Sequence, residues 1–277
     1  MRSAVGFGGR KWHGFVLALA LMWTLVPIYW LVTTALKPNT EILSFPPTLW
    51  PKEWTLASFS FVLHHYAGYF ANSVTVAFGS TLLSLIVGVM AAYGLSRFRF
   101  PRGLVTVIWL VVLSIRMMMP IVFIIPLYQI FQSIGLYNTR TGLILAYTLV
   151  NLPFVIWMMT SFFREIPKAL DEAAMVDGAS RWRVFFSVAL PLAAPGIASV
   201  AILAMVMTWN DLVFGLFLSS DMQAMTLPVG IVGFITQYQT MWSEMAAAGS
   251  LAIVPVLVFT LFIQKYIVRG MTAGAVK

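Results

Sequence analysis

Few side chains in this 277-residue chain could do chemistry, and most of them interrupt long apolar runs. Arg116 stands within the apolar stretch 104–126 and Asp211 within the stretch 196–218. A cation at the centre of a bilayer costs about 2.5–3.5 kcal/mol, so Arg116 is the most expensive residue here. At a rise of about 1.5 Å per residue, Arg116 lies roughly 18 Å along a helix begun at Leu104. Asp211 lies roughly 22 Å along one begun at Gly196, by the same rise. These similar depths predict an ion pair, direct or through water, or two charges facing one wet cavity. Asn151 and Asn210 add amides suited to hydrogen-bonding hydroxyl groups, and Trp209 adds an apolar face for a ring. The competing account of the amides is helix-to-helix hydrogen bonding, about 0.6 kcal/mol on average in membranes. His64 and His65 lack carboxylate or cysteine neighbours at a metal spacing and read as surface residues. Met117, Met118 and Met119 read as packing or pathway lining. No paired carboxylates and no nucleophile–base set stand within the apolar runs, which argues against an intramembrane enzyme.

Those runs set the class of fold. The chain is 60% hydrophobic and 9% charged, against about 25% charged in ordinary globular proteins. Six runs are close to the length of a transmembrane helix: about 14–36, 70–95, 104–126, 141–163, 196–218 and 246–266. Backbone polar groups have no partner in lipid, and no period-2 alternation points to a barrel, so the runs are expected to be helices. The expectation is an all-α integral membrane protein of six transmembrane helices, a single transmembrane domain over 1–277. The first run begins like a secretory signal, after Arg2, Arg10 and Lys11, but continues past a signal core of about 7–15 residues and reads as a retained span. The stretch 184–195, interrupted by Pro191 and Pro195, is expected to lie along the interface and turn into span five. With no cysteine in the chain, disulfides, thiolate metal sites and cysteine nucleophiles are excluded.

The net charge of +8 does not form a nucleic-acid stripe. The bases fall at the ends of the apolar runs. With both termini cytoplasmic, the inner segments hold Arg2, Arg10, Lys11, Arg97, Arg99, Arg102, Arg164, Lys168, Arg181, Arg183, Lys265, Arg269 and Lys277, which is 13 of the 17. The positive-inside rule therefore puts the loop 164–195 in the cytoplasm. The outer segments are 37–69, a turn near 129–140, and 219–245. Phe45-Pro46-Pro47-Thr48 and Trp50-Pro51 make the first of these a rigid extended stretch, an interfacial anchor or a contact for an external partner.

The loop 164–195 is too long and too charged to be a mere connection. Pro167 suits the first turn of a helix, with Asp171 and Glu172 near the positive end of its dipole. Ala173, Ala174 and Met175 continue that helix, and Gly178 suits the left-handed residue that ends it. Ser180 could cap a second helix through Arg181, Trp182 and Arg183. The expected result is helix, sharp turn, helix, with small alanines that let a partner approach closely.

The spacing from Glu172-Ala173-Ala174 to Asp177-Gly178-Ala179-Ser180-Arg181 and on to Leu190-Pro191 resembles the coupling loop of ATP-binding-cassette importer permeases. From about residue 24 onward the chain is similar to a MalG-type permease subunit of a carbohydrate ABC importer. The resemblance is carried by Leu36-Lys37, Asn72-Ser73, Pro126-Leu127-Tyr128, Asn151-Leu152-Pro153-Phe154, Trp209-Asn210-Asp211 and Thr226-Leu227-Pro228. The tail from Arg269 through Gly270, Thr272, Gly274 and Lys277 is similar too, although such tails often carry a terminal glycine. The resemblance implies the type I ABC importer permease fold at a bacterial or archaeal inner membrane. It implies a second, MalF-type permease, two copies of a cytoplasmic ABC ATPase and an external substrate-binding protein as partners. Glu172–Ala179 would seat in the ATPase and the tail would reach the ATPase interface. Asn210 and Trp209 stay candidates for the solute path on their chemistry, with the partner permease as the alternative holder of the solute contacts. ATP and magnesium would belong to the partner ATPases, since this chain has no Gly-x-x-x-x-Gly-Lys-Ser/Thr loop and implies no cofactor of its own. An ABC permease for a non-sugar solute or a glycerol-phosphate ester, and an ion-coupled secondary carrier, are the alternative readings.

Overall fold

The structure, a computed structural model, describes residues 7–274, with side chains from Trp12 to Leu261. Among the described residues the regular elements are helical, apart from one antiparallel bridge between Ile235 and Thr240. In chain order they are α1 (Phe7–Ala35), α2 (Asn39–Ile42), α3 (Ala57–His65), α4 (Ala67–Arg97), α5 (Arg102–Met117), α6 (Pro120–Ser133) and α7 (Arg140–Glu165). There follow α8 (Lys168–Val176), α9 (Arg181–Val184), a π-helical turn (Phe185–Ala189), α10 (Leu190–Asn210), α11 (Val213–Leu218), α12 (Leu227–Val232) and α13 (Trp242–Gly274). Five stretches are long and apolar enough to cross a membrane: Trp12–Ala35, Ala67–Arg97, Arg140–Glu165, Arg181–Asn210 and Trp242–Leu261. Taken as one span, α5 and α6 bring the number to six.

Two spans depart from the expected boundaries. The run 104–126, expected to be one helix, is broken by a 98° bend between α5 and α6. Met118 and Met119 there are extended, because the Pro120 ring disfavours the helical conformation in the residue before it. Span five, expected at 196–218 after an interfacial turn, is instead the continuous helix Arg181–Asn210. Pro191 lies in the first turn of α10, and the wide turn at Phe185–Ala189 absorbs its missing N–H without breaking the rod. The helix stops at Asn210 because Asp211 is extended and its Oδ1 accepts the Phe214 N–H at the start of α11 (3.0 Å).

By their contacts the residues divide into two compact units: the chain up to Ala67 with Ile231–Val254, and Gly68–Gly230 with the segment from Pro255 on. The first unit packs Ala35, Val62, Phe234 and Ala246–Ala248 together. Its loop is fastened by polar bonds. Asn39 donates to Glu244 Oε2 (2.9 Å) and accepts the Ser243 N–H (3.0 Å), while Ser243 donates to the Lys37 carbonyl (2.7 Å). Lys37 is buried, donates to the Thr48 carbonyl, and lies 5.0 Å from the Trp30 ring centre. Glu41 accepts the Thr48 hydroxyl (2.7 Å) and the backbone N–H groups of Lys52 (3.0 Å) and Glu53 (3.3 Å).

The second unit has a core in which α4, α7 and α10 meet through Val89, Phe154, Val155, Met159, Phe163, Val200 and Ala204. A Cβ on Gly88 would lie 2.6 Å from Val155, and one on Gly196 would lie 2.6 Å from the Phe162 ring. Both glycines exist to let helices approach closely, the usual device where lipid gives no hydrophobic drive between helices. Asn72 donates to the carbonyls of Met222 (3.0 Å) and Met225 (2.9 Å), and Ser73 Oγ accepts the Leu227 N–H (2.7 Å). These bonds tie the segment after α11 to the start of α4.

Candidate functional site

The charged loop is built as its spacing predicts, with one addition. Pro167 caps α8 rather than lying in its first turn, and Asp171 occupies that turn. At the other end Gly178 has φ +84°, where a side chain would be strained. The Gly178 N–H bonds the Met175 carbonyl (3.1 Å) and the Ala179 N–H bonds the Ala174 carbonyl (3.0 Å). This crossed pair is the Schellman closure, which satisfies carbonyls that a helix end leaves open. Ser180 Oγ then accepts the Arg183 N–H (3.4 Å) and starts α9, which runs straight into the span ending at Asn210.

The addition is an ion pair. Asp171 is buried, and its Oδ2 lies 2.6 Å from Arg97 Nε at the end of α4. Arg97 Nη2 also donates to the Ile166 carbonyl (3.0 Å). One arginine thus grips both the entry to α8 and its first turn. Sequence reasoning counted Arg97 only as a topological charge and Asp171 only as a dipole partner. The available signal was a lone acid next to Glu172, with an arginine closing an apolar run, but which of Arg97, Arg99 and Arg102 it would meet is a tertiary fact. With Asp171 turned inward and Ala174 half-buried, α8 exposes Lys168, Ala169, Leu170, Glu172, Ala173, Met175 and Val176. Removing one member of a buried ion pair costs about 3–5 kcal/mol, so this anchor holds α8 in one orientation.

Within the apolar spans the five polar residues separate. Asp211 Oδ1 accepts the Tyr147 hydroxyl (2.9 Å) as well as the Phe214 N–H, and no ion pair joins it to Arg116 among the described residues. Tyr147, on α7, is the partner that sequence reasoning missed. Arg116 is exposed, with its guanidinium carbon 5.2 Å from the Phe154 ring centre and Nη2 3.8 Å from Met207 Sδ. Asn151 is buried and donates to Thr208 Oγ1 (2.9 Å), a bond between α7 and α10. Trp209 is 3% exposed, set edge-on to Phe70 (5.5 Å) and Phe259 (6.5 Å), so its ring belongs to the packing. Asn210 is exposed, although its amide donates back to the Val206 carbonyl (2.8 Å). Arg116 and Asn210 are therefore the two that reach open surface. His65 stacks on Phe61 (4.4 Å), and Met117–Met119 are exposed at the α5–α6 bend. Of the tail, Gly270, Thr272 and Gly274 continue the α13 backbone, and Lys277 lies outside the described residues.

Known proteins resemble this chain over most of its length. The family model described as "binding-protein-dependent transport system inner membrane component" matches residues 84–273, a range that holds Arg97, the whole charged loop and Asp211. The chain is 35% identical over 272 residues to the trehalose transport system permease protein SugB of Mycobacterium tuberculosis, covering 94% of each. It is 34% identical over 274 residues to the sulfoquinovosyl glycerol transport system permease protein SmoH of Agrobacterium fabrum, covering 98% of this chain and 95% of the relative. In fold it is similar to a chain of a bacterial ABC transporter involved in import of the acidic polysaccharide alginate. That match has a TM-score of 0.78 at 22% identity, over 96% of this chain and 99% of the other.

Proposed function

The chain belongs to the family of inner membrane components of binding-protein-dependent transport systems, and on that premise we propose that it is one permease half of an ATP-driven carbohydrate importer. It pairs with a second, related permease, carries two cytoplasmic ATPases that hold ATP and magnesium, and takes its sugar from an external binding protein. The positive-inside distribution of bases supports a cytoplasmic charged loop and cytoplasmic termini. The sugar assignment is supported by the trehalose and sulfoquinovosyl glycerol permeases among its relatives.

The observation that carries this reading is the anchored, outward-turned α8. Every residue of α8 except Asp171 and Ala174 is exposed and free to meet a partner, while Asp171 pins the helix to Arg97. A partner ATPase that closes on ATP would move α8 as a body. The motion would pass through Asp171 into α4, and through Gly178 and α9 into the continuous helix to Asn210. Both helices pack on α7, so the load tilts the α4–α7–α10 core as a unit, the rigid-body form of alternating access. The tail residues Gly270, Thr272 and Gly274 would meet the same ATPase interface.

A second reading, a solute bearing an anionic group such as a glycerol-phosphate ester, is favoured by Arg116. That cation is exposed at membrane depth and forms an ion pair with no acid among the described residues.

The test is a detergent pull-down of the chain co-expressed with its partner permease and ATPase, wild type against the double variant Glu172→Ala/Gly178→Pro. Wild type should retain the ATPase and the variant should lose it. A folded wild-type chain that retains none would bring the autonomous carrier forward. Uptake of labelled neutral and acidic sugars by the reconstituted complex then separates the two solute readings.

A further inference from the structure

We propose that the cleft between the end of α4 and α9 is a binding site for one anionic glycerophospholipid of the inner leaflet, an acyl chain in the cleft and the phosphate on Arg181. The proposal rests on the cytoplasmic orientation of the charged loop given above. The cleft has a volume of about 230 Å³ and is lined by Met90, Tyr93, Phe98, Trp182 and Phe185, with Arg181 the single charged side chain in its wall. Such a lining suits hydrocarbon, not a water-soluble ligand, and one cation at the rim suits an amphiphile with a negative head.

Three further observations point to the same occupant. Trp182 is 62% exposed and stacks on Phe186 (6.2 Å), which is also exposed. Exposed aromatic rings at the end of a span sit at headgroup depth in a bilayer. Next, the charge around the cleft is one-sided. Arg99, Arg102, Arg181 and Arg183 are exposed, while Asp171 is already neutralised by Arg97. Glu172 and Asp171 line a neighbouring cavity that Arg181 also borders, where Arg97, Lys168 and Arg181 outnumber the two acids. Clusters of bases just inside a span draw anionic lipids. Finally, the Arg181 guanidinium is held 5.1 Å from the Phe98 ring centre, with no acid in ion-pair contact among the described residues. A cation fixed over an aromatic wall, with its donors free of carboxylate, is positioned for a phosphate oxygen.

The test uses the whole transporter in nanodiscs of phosphatidylcholine mixed with phosphatidylglycerol, with lipids retained after delipidation counted by native mass spectrometry. Wild type should keep phosphatidylglycerol in preference to phosphatidylcholine. Arg181→Gln should lower that preference about fivefold, the effect of one basic residue at an anionic surface. Met90→Trp, which fills the cleft and leaves every cation in place, should expel the lipid of either class. Equal retention of the two lipids by wild type, or unchanged phosphatidylglycerol in Met90→Trp, would overturn the site. ATPase retained by wild type in the same preparation keeps these outcomes distinct from failure of the importer reading, in which no ATPase is held whatever lipid is bound.

Discussion

Two carboxylates fasten two segments outside the spans, and they do it by opposite means. Glu41 lies half-buried at the surface and collects hydrogen bonds from Thr48, Lys52 and Glu53, closing the 37–56 loop on itself. Asp171 is buried and has one strong partner, Arg97. The difference is one of mechanics as much as stability. An exposed cluster of bonds shapes a surface and yields under mild change. A buried pair adds little net stability over an apolar substitute but is costly to open, so it acts as a stiff joint. A loop meant to present a surface can use the first kind, and a loop meant to transmit force needs the second.

The comparison breaks most sharply at the joint. Arg97→Ala or Asp171→Ala should each destabilise the protein by about 3–5 kcal/mol, read as a fall in the thermal midpoint of the detergent-solubilised complex. Arg97→Met with Asp171→Leu should recover most of that stability, because no uncompensated charge remains, yet leave ATPase activity poorly coupled to sugar uptake. Gly178→Ala should cost about 1–2 kcal/mol, since alanine resists a positive φ, and should weaken ATPase retention without altering the spans. Asn151→Leu should cost about 0.6 kcal/mol, the ordinary value of an interhelical hydrogen bond in a membrane, if its bond to Thr208 is packing. A loss of uptake with unchanged stability would instead give Asn151 a role in the solute path.

The smallest effect belongs to Glu41. Its hydrogen bonds from the Thr48 hydroxyl and then the Lys52 N–H hold the carboxyl below its ordinary value of 4.5. Because the folded value is the lower one, the ordering of the loop is fully favoured above the unfolded value and lost as pH falls through the folded one. Limited proteolysis of the 37–56 loop should accelerate across that acidic window, and Glu41→Gln should abolish the pH dependence.

Much of the loop was legible because its signals are local. Gly178 and Ser180 act within a few residues of themselves, through a positive φ and a cap. The pairs Arg97–Asp171 and Tyr147–Asp211 join residues far apart in sequence, and nothing in their own neighbourhoods names the partner. The prolines show the same limit. Pro27, Pro126, Pro153, Pro195 and Pro255 all lie inside helices, whereas Pro120 opens a 98° bend. Whether a proline breaks a span depends on whether neighbours satisfy the freed carbonyls, and that information is not in the residue itself. Depth alone misled in the case of Arg116 and Asp211, since a matched rise along two helices leaves their azimuths undetermined.

The π-helical turn at Phe185–Ala189 has a consequence for how this helix could vary. It holds one residue more than an α-helical turn, so it sets the rotational phase between Arg181 and everything beyond Leu190. Deleting a single residue there would let the backbone relax to ordinary pitch with α9 and α10 still nearly in phase, whereas a deletion in the α-helical parts would rotate them against each other by about 100°. After that second kind of deletion the rod would keep its hydropathy, but either Val200 and Ala204 would leave the core or Ser180 and Gly178 would face the wrong way. A one-residue deletion is thus absorbed within this short stretch and costly on either side of it.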